Sequence, residues 1–287
     1  MSDYGTLYII ATPIGNLADI TLRALDIIKN VKTLYAEDTR VTKHLLEHYG
    51  IQAKLHSLHD FNESKKISSV IEQLQAGADL GLVSDAGTPL ISDPGYKLVS
   101  AAQDAGICVR PIPGASALTA ALSIAGVPTD RFIFEGFFPK SSTERIKLLN
   151  SLRYEARTMV FYESAQRIQA TIQDCLTIMG GERKAALLRE LTKHYEQHIC
   201  AQLNEIQLQL AAQTDKIRGE IVFILHGNTS PDDTASVEKA KQLLFELQRH
   251  LPLKEAAAIV SKHTGIRRNQ LYSLGIGKDL DESKNKS

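Results

Sequence analysis

Hydrophobic runs of strand length alternate with helical patterns through the first half of the chain. Leu7-Tyr-Ile-Ile-Ala11 and Leu80-Gly-Leu-Val-Ser84 have almost no polar interruption, which is typical of strands covered on both faces. Further elements are predicted as strands at 33–36, 54–58 and 107–112, and as helices at 21–31, 39–49, 63–76 and 96–105. Strands joined through helices predict an α/β fold with a mainly parallel sheet and right-handed crossovers.

The second half is less regular. Pro111-Ile-Pro-Gly114 ends a strand abruptly and is the first candidate domain boundary. A helix of small residues is predicted at 116–125, followed by strands at 132–137, 158–163, 185–190 and 220–226. We expect an α+β layer here, with some antiparallel pairing.

The last part of the chain has a different composition. Residues 227–235 resemble a linker, and helices are predicted at 237–250, 253–263 and 267–274, with Thr264-Gly-Ile266 as a turn of helix-turn-helix type. The expected organisation is a first α/β domain at 1–113, a second at 114–230, a helical module at 236–280 and a disordered tail at 281–287.

Composition and charge exclude several classes of protein. Of 287 residues, 43% are hydrophobic, and 33 basic residues balance 33 acidic ones. This excludes a strongly basic coat protein and an acidic disordered chain, although a local basic patch would still allow nucleic-acid binding. The N-terminus lacks a signal-peptide pattern, and no apolar run approaches the ~20 residues that span a bilayer. The scattered Cys108, Cys175 and Cys200 predict buried free thiols in a cytoplasmic protein.

Turns of small residues follow three of the predicted strands: Thr12-Pro-Ile-Gly-Asn-Leu17, residues 84–95, and Pro113-Gly-Ala-Ser-Ala117. The carboxyl ends of parallel strands meet at one edge of a sheet, so these turns predict a single cleft lined largely by backbone. Glycine fingerprints of a Rossmann cofactor site or a P-loop are missing, which disfavours both. The alternative is that the turns are inert connections.

Charged segments also follow predicted strands. Residues 36–40, 161–167 and 189–196 each carry charges of both signs. One such segment alone is commonly a helix cap with a surface ion pair, but three together predict a polar substrate face on the same cleft. In the helical module, Lys254, Lys262, Arg267 and Arg268 surround the turn and would suit phosphate contacts. A solubilising or dimerising appendage is the alternative there.

A zinc site is a weaker possibility. His44-Leu-Leu-Glu-His48 matches the H-x-x-E-H pattern of inverted zinc peptidases. Five residues are a short match, and no third ligand is evident in the sequence. We therefore expect a solvated helix face and no metal.

Several segments together resemble one family. In family order they are residues 7–25, 36–40, 84–95, 111–117, 161–164, 189–193 and 218–220. They resemble the ribosomal RNA small subunit methyltransferase I family across residues 7 to about 275. One departure is visible: the family usually continues Phe-Tyr-Glu-Ser with Pro-His-Arg, whereas Ala165 and Gln166 precede Arg167 here. A histidine acting as general base at that point is therefore not expected.

The resemblance implies a class III, tetrapyrrole-methylase-like fold plus a C-terminal helix-turn-helix appendage. It implies two α/β domains with S-adenosylmethionine in the cleft between them, usually in a homodimer. The implied reaction is 2′-O-methylation of a cytidine in the decoding region of 16S ribosomal RNA. Because the wider superfamily also methylates tetrapyrroles and a protein histidine, such an acceptor stays open, as does a non-enzymatic nucleic-acid-binding regulator.

The resemblance also implies cofactor contacts, which are Pro13, Ser84, Asp85, Gly87, Thr88, Pro89, Ile91, Ser92, Ser116, Ala117, Tyr162 and Gly219. From their placement at strand ends, Asp38 and Glu190 are candidates for the general base. Arg40, Arg167 and Lys193 are candidates for holding RNA phosphates. Arg267 and Arg268 of the helical module join them as RNA contacts.

Overall fold

A parallel sheet forms the first part of the chain, as the alternation of strands and helices predicts. A computed structural model describes residues 4–212, 218–228, 233–264, 266, 268 and 271–272. The strands of this sheet are β1 (Thr6–Ile10), β2 (Thr33–Ala36), β3 (Lys54–Ser57), β4 (Leu80–Val83) and β5 (Cys108–Ile112). Their spatial order is β3-β2-β4-β1-β5, and every pair is parallel.

Helices cover both faces of this sheet, and they are α1 (Leu22–Asn30), α2 (Thr39–His48), α3 (Glu63–Gln75) and α4 (Tyr96–Asp104). Residues of α1 and α2 pack with Ile10 and Val83 on one face, while those of α3 and α4 pack with Leu7 and Leu82 on the other. All four residues of β4 are buried, because it lies in the middle of a sheet covered on both sides.

The second sheet is mixed, which confirms the expected antiparallel pairing. Its strands are β6 (Phe132–Phe137), β7 (Thr158–Ser164), β8 (Lys184–Arg189), β9 (Gln197–Gln202) and β10 (Glu220–Leu225), in the order β6-β7-β10-β8-β9. Only the β6–β7 pair is parallel among these. The sequence pattern misses β9, because this edge strand buries Ile199 alone and so lacks a hydrophobic alternation.

Helices pack on both faces of the second sheet as well, and they are α5 (Ala117–Ile124), α6 (Ser142–Leu152), α7 (Ile168–Met179) and α8 (Leu203–Ala211). The face toward α5 also receives Ile14 from the loop after β1 of the first sheet. Ile14 thereby joins the core of the second sheet to the carboxyl edge of the first.

The cysteine expectation is only partly right. All three cysteines are free, and Cys175 is buried in α7, but Cys108 and Cys200 are exposed. Both lie on strands at the edge of a sheet, where one face of the strand is open to solvent. Their apolar neighbours in sequence gave no sign of that placement.

Residues 227–287 form a compact unit separate from residues 1–226. It contains α9 (Asp233–Gln248) and α10 (Leu253–Thr264), and Leu244, Ala256, Val260 and Leu271 are fully buried in its small core. Most of the helix predicted at 267–274 and the whole predicted tail at 281–287 lie outside the described residues. Within the described part of the chain, no helix combines the length and apolarity needed to cross a membrane.

Candidate active site

The three turns of small residues meet at the carboxyl edge of the first sheet. The Thr12 and Gly87 backbones exchange hydrogen bonds of 2.9 and 3.0 Å, which join the loop after β1 to the loop after β4. Thr88 Oγ1 donates to the Ala115 carbonyl at 3.1 Å and so ties in the loop after β5. Parallel pairing brings these strand ends together, although they are about a hundred residues apart in the chain.

A cleft of about 450 Å³ opens beside these loops and extends to the second sheet. Its lining includes most of the predicted cofactor residues, namely Asp85, Gly87, Thr88, Ile91, Ser92, Ser116, Ala117, Tyr162 and Gly219. Pro13 and Ser84 line an adjoining cavity of about 290 Å³, which shares Asp85 and Lys193 with the cleft. Pro89 is buried and belongs to neither lining.

Sequence reasoning missed several residues that line the cleft, which include Ile14, Glu37, Asp93, Phe137, Leu188 and Glu220. Glu37 and Asp93 lie inside segments that the sequence did single out, at 36–40 and 84–95. The charges of those segments were therefore visible, but which side chain turns inward was not. Phe137 carried no signal, because it sits in a strand of ordinary hydrophobic composition.

The cleft is acidic on the side of the first sheet. Burial, together with the neighbouring charges of Asp85 and Asp93, raises the pKa of Glu37 to about 7. Burial likewise raises the pKa of Asp93 to about 6, in spite of a hydrogen bond from Ser84. The pKa of Asp85 is raised for the same reason, although its Oδ1 accepts the Asp38 N–H at 2.8 Å. Half-buried carboxylates of this kind are poised to exchange protons near neutral pH.

Asp38, one of the two carboxylates predicted as the base, is turned out of the cleft. It caps α2 by accepting the Arg40 N–H and makes a bidentate pair with the Arg40 guanidinium, with a shortest distance of 2.6 Å. These hydrogen bonds lower the pKa of Asp38 to about 2. The Arg40 side chain is 87% exposed, and so remains accessible to a phosphate.

Glu190, the other predicted base, lies behind Lys193. Its Oε1 accepts the Lys193 ammonium at 2.8 Å and the Glu220 N–H at 3.0 Å, while Lys193 also reaches Glu220 Oε2 at 2.9 Å. Burial alone would raise the pKa of Glu190, but the hydrogen bonds and charge of Lys193 lower it instead. Lys193, and not Glu190, lines the cleft.

Close contacts fix this cluster in place. The aliphatic chain of Lys193 passes so near Gly15 that a Cβ there would lie 2.3 Å from Lys193 Cγ. A Cβ on Gly219, whose φ is +97°, would lie 2.4 Å from the Glu190 carboxyl carbon. Lys193 therefore links the loop after β1 to the second sheet.

The backbone is strained in two loops beside the cleft. Leu90 and Ser92 in the loop after β4, and Glu190 and Thr192 in the loop after β8, have φ between +54° and +74°. Such conformations are costly for residues other than glycine and concentrate at functional sites. The strain supports a binding role for these two loops.

The remaining predicted RNA contacts differ in accessibility. The Arg167 guanidinium is engaged by Glu163 at 2.5 Å, by Ser164 Oγ at 3.1 Å and by the Phe138 carbonyl at 3.2 Å. Arg268 is exposed in the second unit, and Arg267 lies outside the described residues. His44 and His48 are both exposed, and across the described ranges no group of three His, Cys, Asp or Glu side chains could hold a metal ion.

Comparison with known proteins identifies the family. Residues 6–207 match the model of the Tetrapyrrole (Corrin/Porphyrin) Methylases, and residues 233–277 match the RsmI C-terminal HTH domain. Ribosomal RNA small subunit methyltransferase I of Escherichia coli O157:H7 is 44% identical over 95% of this chain and 95% of its own. The Pseudomonas aeruginosa enzyme of the same name is 45% identical over 95% of this chain and 97% of its own. The chain belongs to the ribosomal RNA small subunit methyltransferase I family.

Solved structures show the fold that this family member shares. A diphthine synthase has a TM-score of 0.59 at 16% identity, covering 79% of this chain and 92% of its own. Uroporphyrin-III C-methyltransferase from Thermus thermophilus, complexed with S-adenyl homocysteine, has a TM-score of 0.53 at 17% identity and covers 77% of this chain and 97% of its own. The predicted tetrapyrrole-methylase-like fold with a C-terminal helical region is confirmed.

Proposed function

We propose that the protein transfers a methyl group from S-adenosylmethionine to the 2′-hydroxyl of a cytidine in the decoding region of small-subunit ribosomal RNA. The observation that carries the proposal is identity above 40% to enzymes of that name along 95% of the chain, with both the methylase region and the helix-turn-helix region matched. Small subunits are cytoplasmic, so the proposed substrate agrees with the predicted location.

The cleft fits S-adenosylmethionine in size and chemistry. Its volume of about 450 Å³ is in the range of roughly 300–1,000 Å³ typical of cofactor sites. Glu37, Asp85 and Asp93 supply oxygens that suit the amine and the ribose hydroxyls, and their acidity complements the cationic sulfonium. Leu188 and Val222 offer an apolar wall. When bound, the cofactor supplies a methyl group on a sulfonium, whose transfer to oxygen discharges a cation.

The chain must orient the acceptor hydroxyl and accept its proton. Alignment of oxygen and methyl carbon within ~3 Å can provide several kcal/mol of the barrier reduction. We propose Glu37 as the proton acceptor, because it lines the cleft and its carboxylate holds no ion pair among the described contacts. The methyl group then forms a bond to the 2′-oxygen as the proton moves to the Glu37 carboxylate.

Asp38 and Glu190 remain predictions from sequence for the same role. Both carboxylates are held by a cation, Asp38 by Arg40 and Glu190 by Lys193. The sequence-based proposal fails if Asp38→Asn and Glu190→Gln both keep near-normal turnover at saturating cofactor.

We propose that residues 227–287 dock the enzyme on RNA. Lys254, Lys262 and Arg268 are all exposed, and this unit has its own core. Exposed cations on a helical module suit contact with the phosphate backbone. A regulator without enzymatic activity would have no use for the cleft, and a tetrapyrrole methylase would have no evident use for this unit.

The homodimer implied by the family resemblance is also a proposal. Leu22, Phe61 and Tyr96 are 73–92% exposed, which is unusual for large apolar side chains on a monomer. Light scattering coupled to size exclusion measures the molar mass. A mass of one chain at micromolar concentration would contradict the dimer.

The first experiment tests cofactor, substrate and reaction together. Small subunits from cells lacking this protein are incubated with the enzyme and tritiated S-adenosylmethionine, and the label is located by nuclease digestion and mass spectrometry. A single 2′-O-methylcytidine near the decoding centre is expected. Cofactor binding by calorimetry without transfer to small subunits would instead favour a tetrapyrrole or protein acceptor.

A further inference from the structure

Strand β6 contains one residue more than the stretch of β7 with which it pairs. Phe132 pairs with Thr158 and Phe134 with Val160, but the next paired position joins Phe137 to Tyr162. Three steps along β6 thus correspond to two steps along β7, which is the signature of a β-bulge. The extra residue falls between Phe134 and Phe137.

The bulge decides which of two adjacent phenylalanines reaches the cleft. Phe134 packs on the face of the sheet that carries Val160 and Leu188. Because alternate residues of a strand share a face, regular alternation would place Phe138 on that face and Phe137 in the opposite core. The structure has the reverse: Phe138 is buried in the opposite core, while Phe137 lines the cleft.

Each consequence of the bulge is held by a specific contact. Phe138 stacks on Phe161 with ring centroids 4.0 Å apart and planes 14° apart. Gly136 adopts a φ of +69°, which strains any other residue, and a Cβ there would lie 3.5 Å from Ser92 Oγ in the loop after β4. The bulge therefore sits directly beside the loop that lines the cleft.

The ring of Phe137 ends a short aromatic row. Tyr162 meets Phe134 edge-on at 4.9 Å and Phe137 edge-on at 5.5 Å. Phe137 is the outer member and remains 58% exposed, although it lines a cleft. Exposed aromatic rings are the surfaces on which proteins stack unpaired bases, at about 1–3 kcal/mol per base.

We infer that Phe137 stacks on the base of the acceptor nucleotide and so presents its ribose to the cleft, an inference that rests on the proposed function. A 2′-hydroxyl enters a cleft only when its nucleotide leaves the RNA stack, and the aromatic ring replaces part of the stacking lost. The ring's exposure favours RNA over the adenine of the cofactor, whose expected contacts lie mainly in the loops after β4 and β5.

Two substitutions at this position separate π-stacking from apolar volume. Phe137→Leu keeps an apolar side chain without a π-face, and Phe137→Tyr keeps the ring. Phe132→Leu is the matched control, because Phe132 is an exposed phenylalanine of the same strand outside the cleft lining. For each protein, kcat/KM with small subunits, the Kd for small subunits and the Kd for S-adenosylhomocysteine are measured.

We expect Phe137→Leu to lower kcat/KM with small subunits by about 5- to 150-fold, the range that corresponds to loss of one stacked base. The Kd for S-adenosylhomocysteine should stay within about twofold, and Phe137→Tyr and Phe132→Leu should both behave like the parent. An equal loss confined to S-adenosylhomocysteine binding would overturn the inference in favour of the adenine, and an unchanged Phe137→Leu would overturn it outright. If the parent itself does not methylate small subunits, the proposed function fails, and the stacking inference is then decided by the Kd values for small subunits alone.

Discussion

The Lys193 ammonium lies 2.8 Å from Glu190 Oε1 and 2.9 Å from Glu220 Oε2, so one cation at the cleft is shared by two carboxylates of the second sheet. The Glu190 oxygen that receives it also accepts the Glu220 N–H. Glu190 is thereby a positioning residue for Lys193, and Lys193 is the group that faces the cleft.

This arrangement predicts unequal effects of two substitutions. Glu190→Gln retains an oxygen for the Glu220 N–H and should change kcat by less than about tenfold, because only the ion pair is lost. Lys193→Met removes the only side chain of the three that carries positive charge, and should weaken small-subunit binding at low salt more than at high salt. Steady-state kinetics over a salt series measures both. A hundredfold loss of kcat in Glu190→Gln with unchanged stability would restore Glu190 as the base.

Glu37 should act as the proton acceptor. Substitution to Gln keeps its shape but cannot accept the proton, so kcat should fall by about 10²–10⁴-fold. Asp38→Asn is the matched control, since it keeps the helix cap and should stay within about tenfold of the parent. Single-turnover rates at saturating S-adenosylmethionine make the comparison, and a larger loss in Asp38→Asn than in Glu37→Gln would contradict it.

The raised pKa of Glu37 gives two pH dependences. As a base it must be ionised, so kcat/KM should rise with pH and level off above about 7, while the cationic cofactor should move the kcat profile to lower pH. A carboxylate whose folded pKa exceeds its unfolded value stabilises the protein below the unfolded pKa and loses that contribution as pH rises through the folded one. Glu37→Gln should therefore match the parent in Tm near pH 4.5 and exceed it above about pH 7. Equal Tm values at all pH would contradict the burial of this charge.

The Glu163–Arg167 pair should act mainly on stability. The Glu163 side chain is fully buried and also accepts hydrogen bonds from Thr171 Oγ1 at 2.8 Å and the Ser164 N–H at 2.6 Å. Arg167→Met leaves that charge without its cation, which should lower the free energy of unfolding by about 3–5 kcal/mol. Adding Glu163→Gln should recover part of the loss, as urea unfolding would show. Normal stability with weakened RNA binding would instead support the RNA contact predicted for Arg167.

Removal of residues 227–287 should weaken small-subunit binding and leave the cofactor Kd within about twofold, because the cleft belongs to residues 1–226. Replacing Lys254, Lys262 and Arg268 with Ala in the full chain should reproduce part of the effect and reduce the salt dependence of binding by roughly 0.7–0.9 in log–log slope per lost phosphate contact. Calorimetry and filter binding provide the two measurements. Loss of dimerisation with intact RNA affinity would show that this unit has a different role.

The sequence by itself determined the elements and their order. Uninterrupted apolar runs such as 80–83 identify strands covered on both faces, and glycine- and proline-rich turns mark where loops approach a ligand. Parallel strands joined by helices must direct their carboxyl ends to one edge, so the meeting of three distant loops was predictable. Family motifs then assigned the cofactor loops, most of whose residues line the cleft.

Only the tertiary structure decided which side chains face that cleft. Glu37 and Asp38 are neighbours in one motif, yet the first lines the cleft and the second caps α2 and binds Arg40, because the chain turns from strand to helix between them. The edge strand β9 and the exposed Cys108 and Cys200 were invisible because edge positions need no hydrophobic alternation. The bulge in β6 is the clearest case: one extra residue reverses the alternation of the strand, so Phe137 and not Phe138 reaches the cleft.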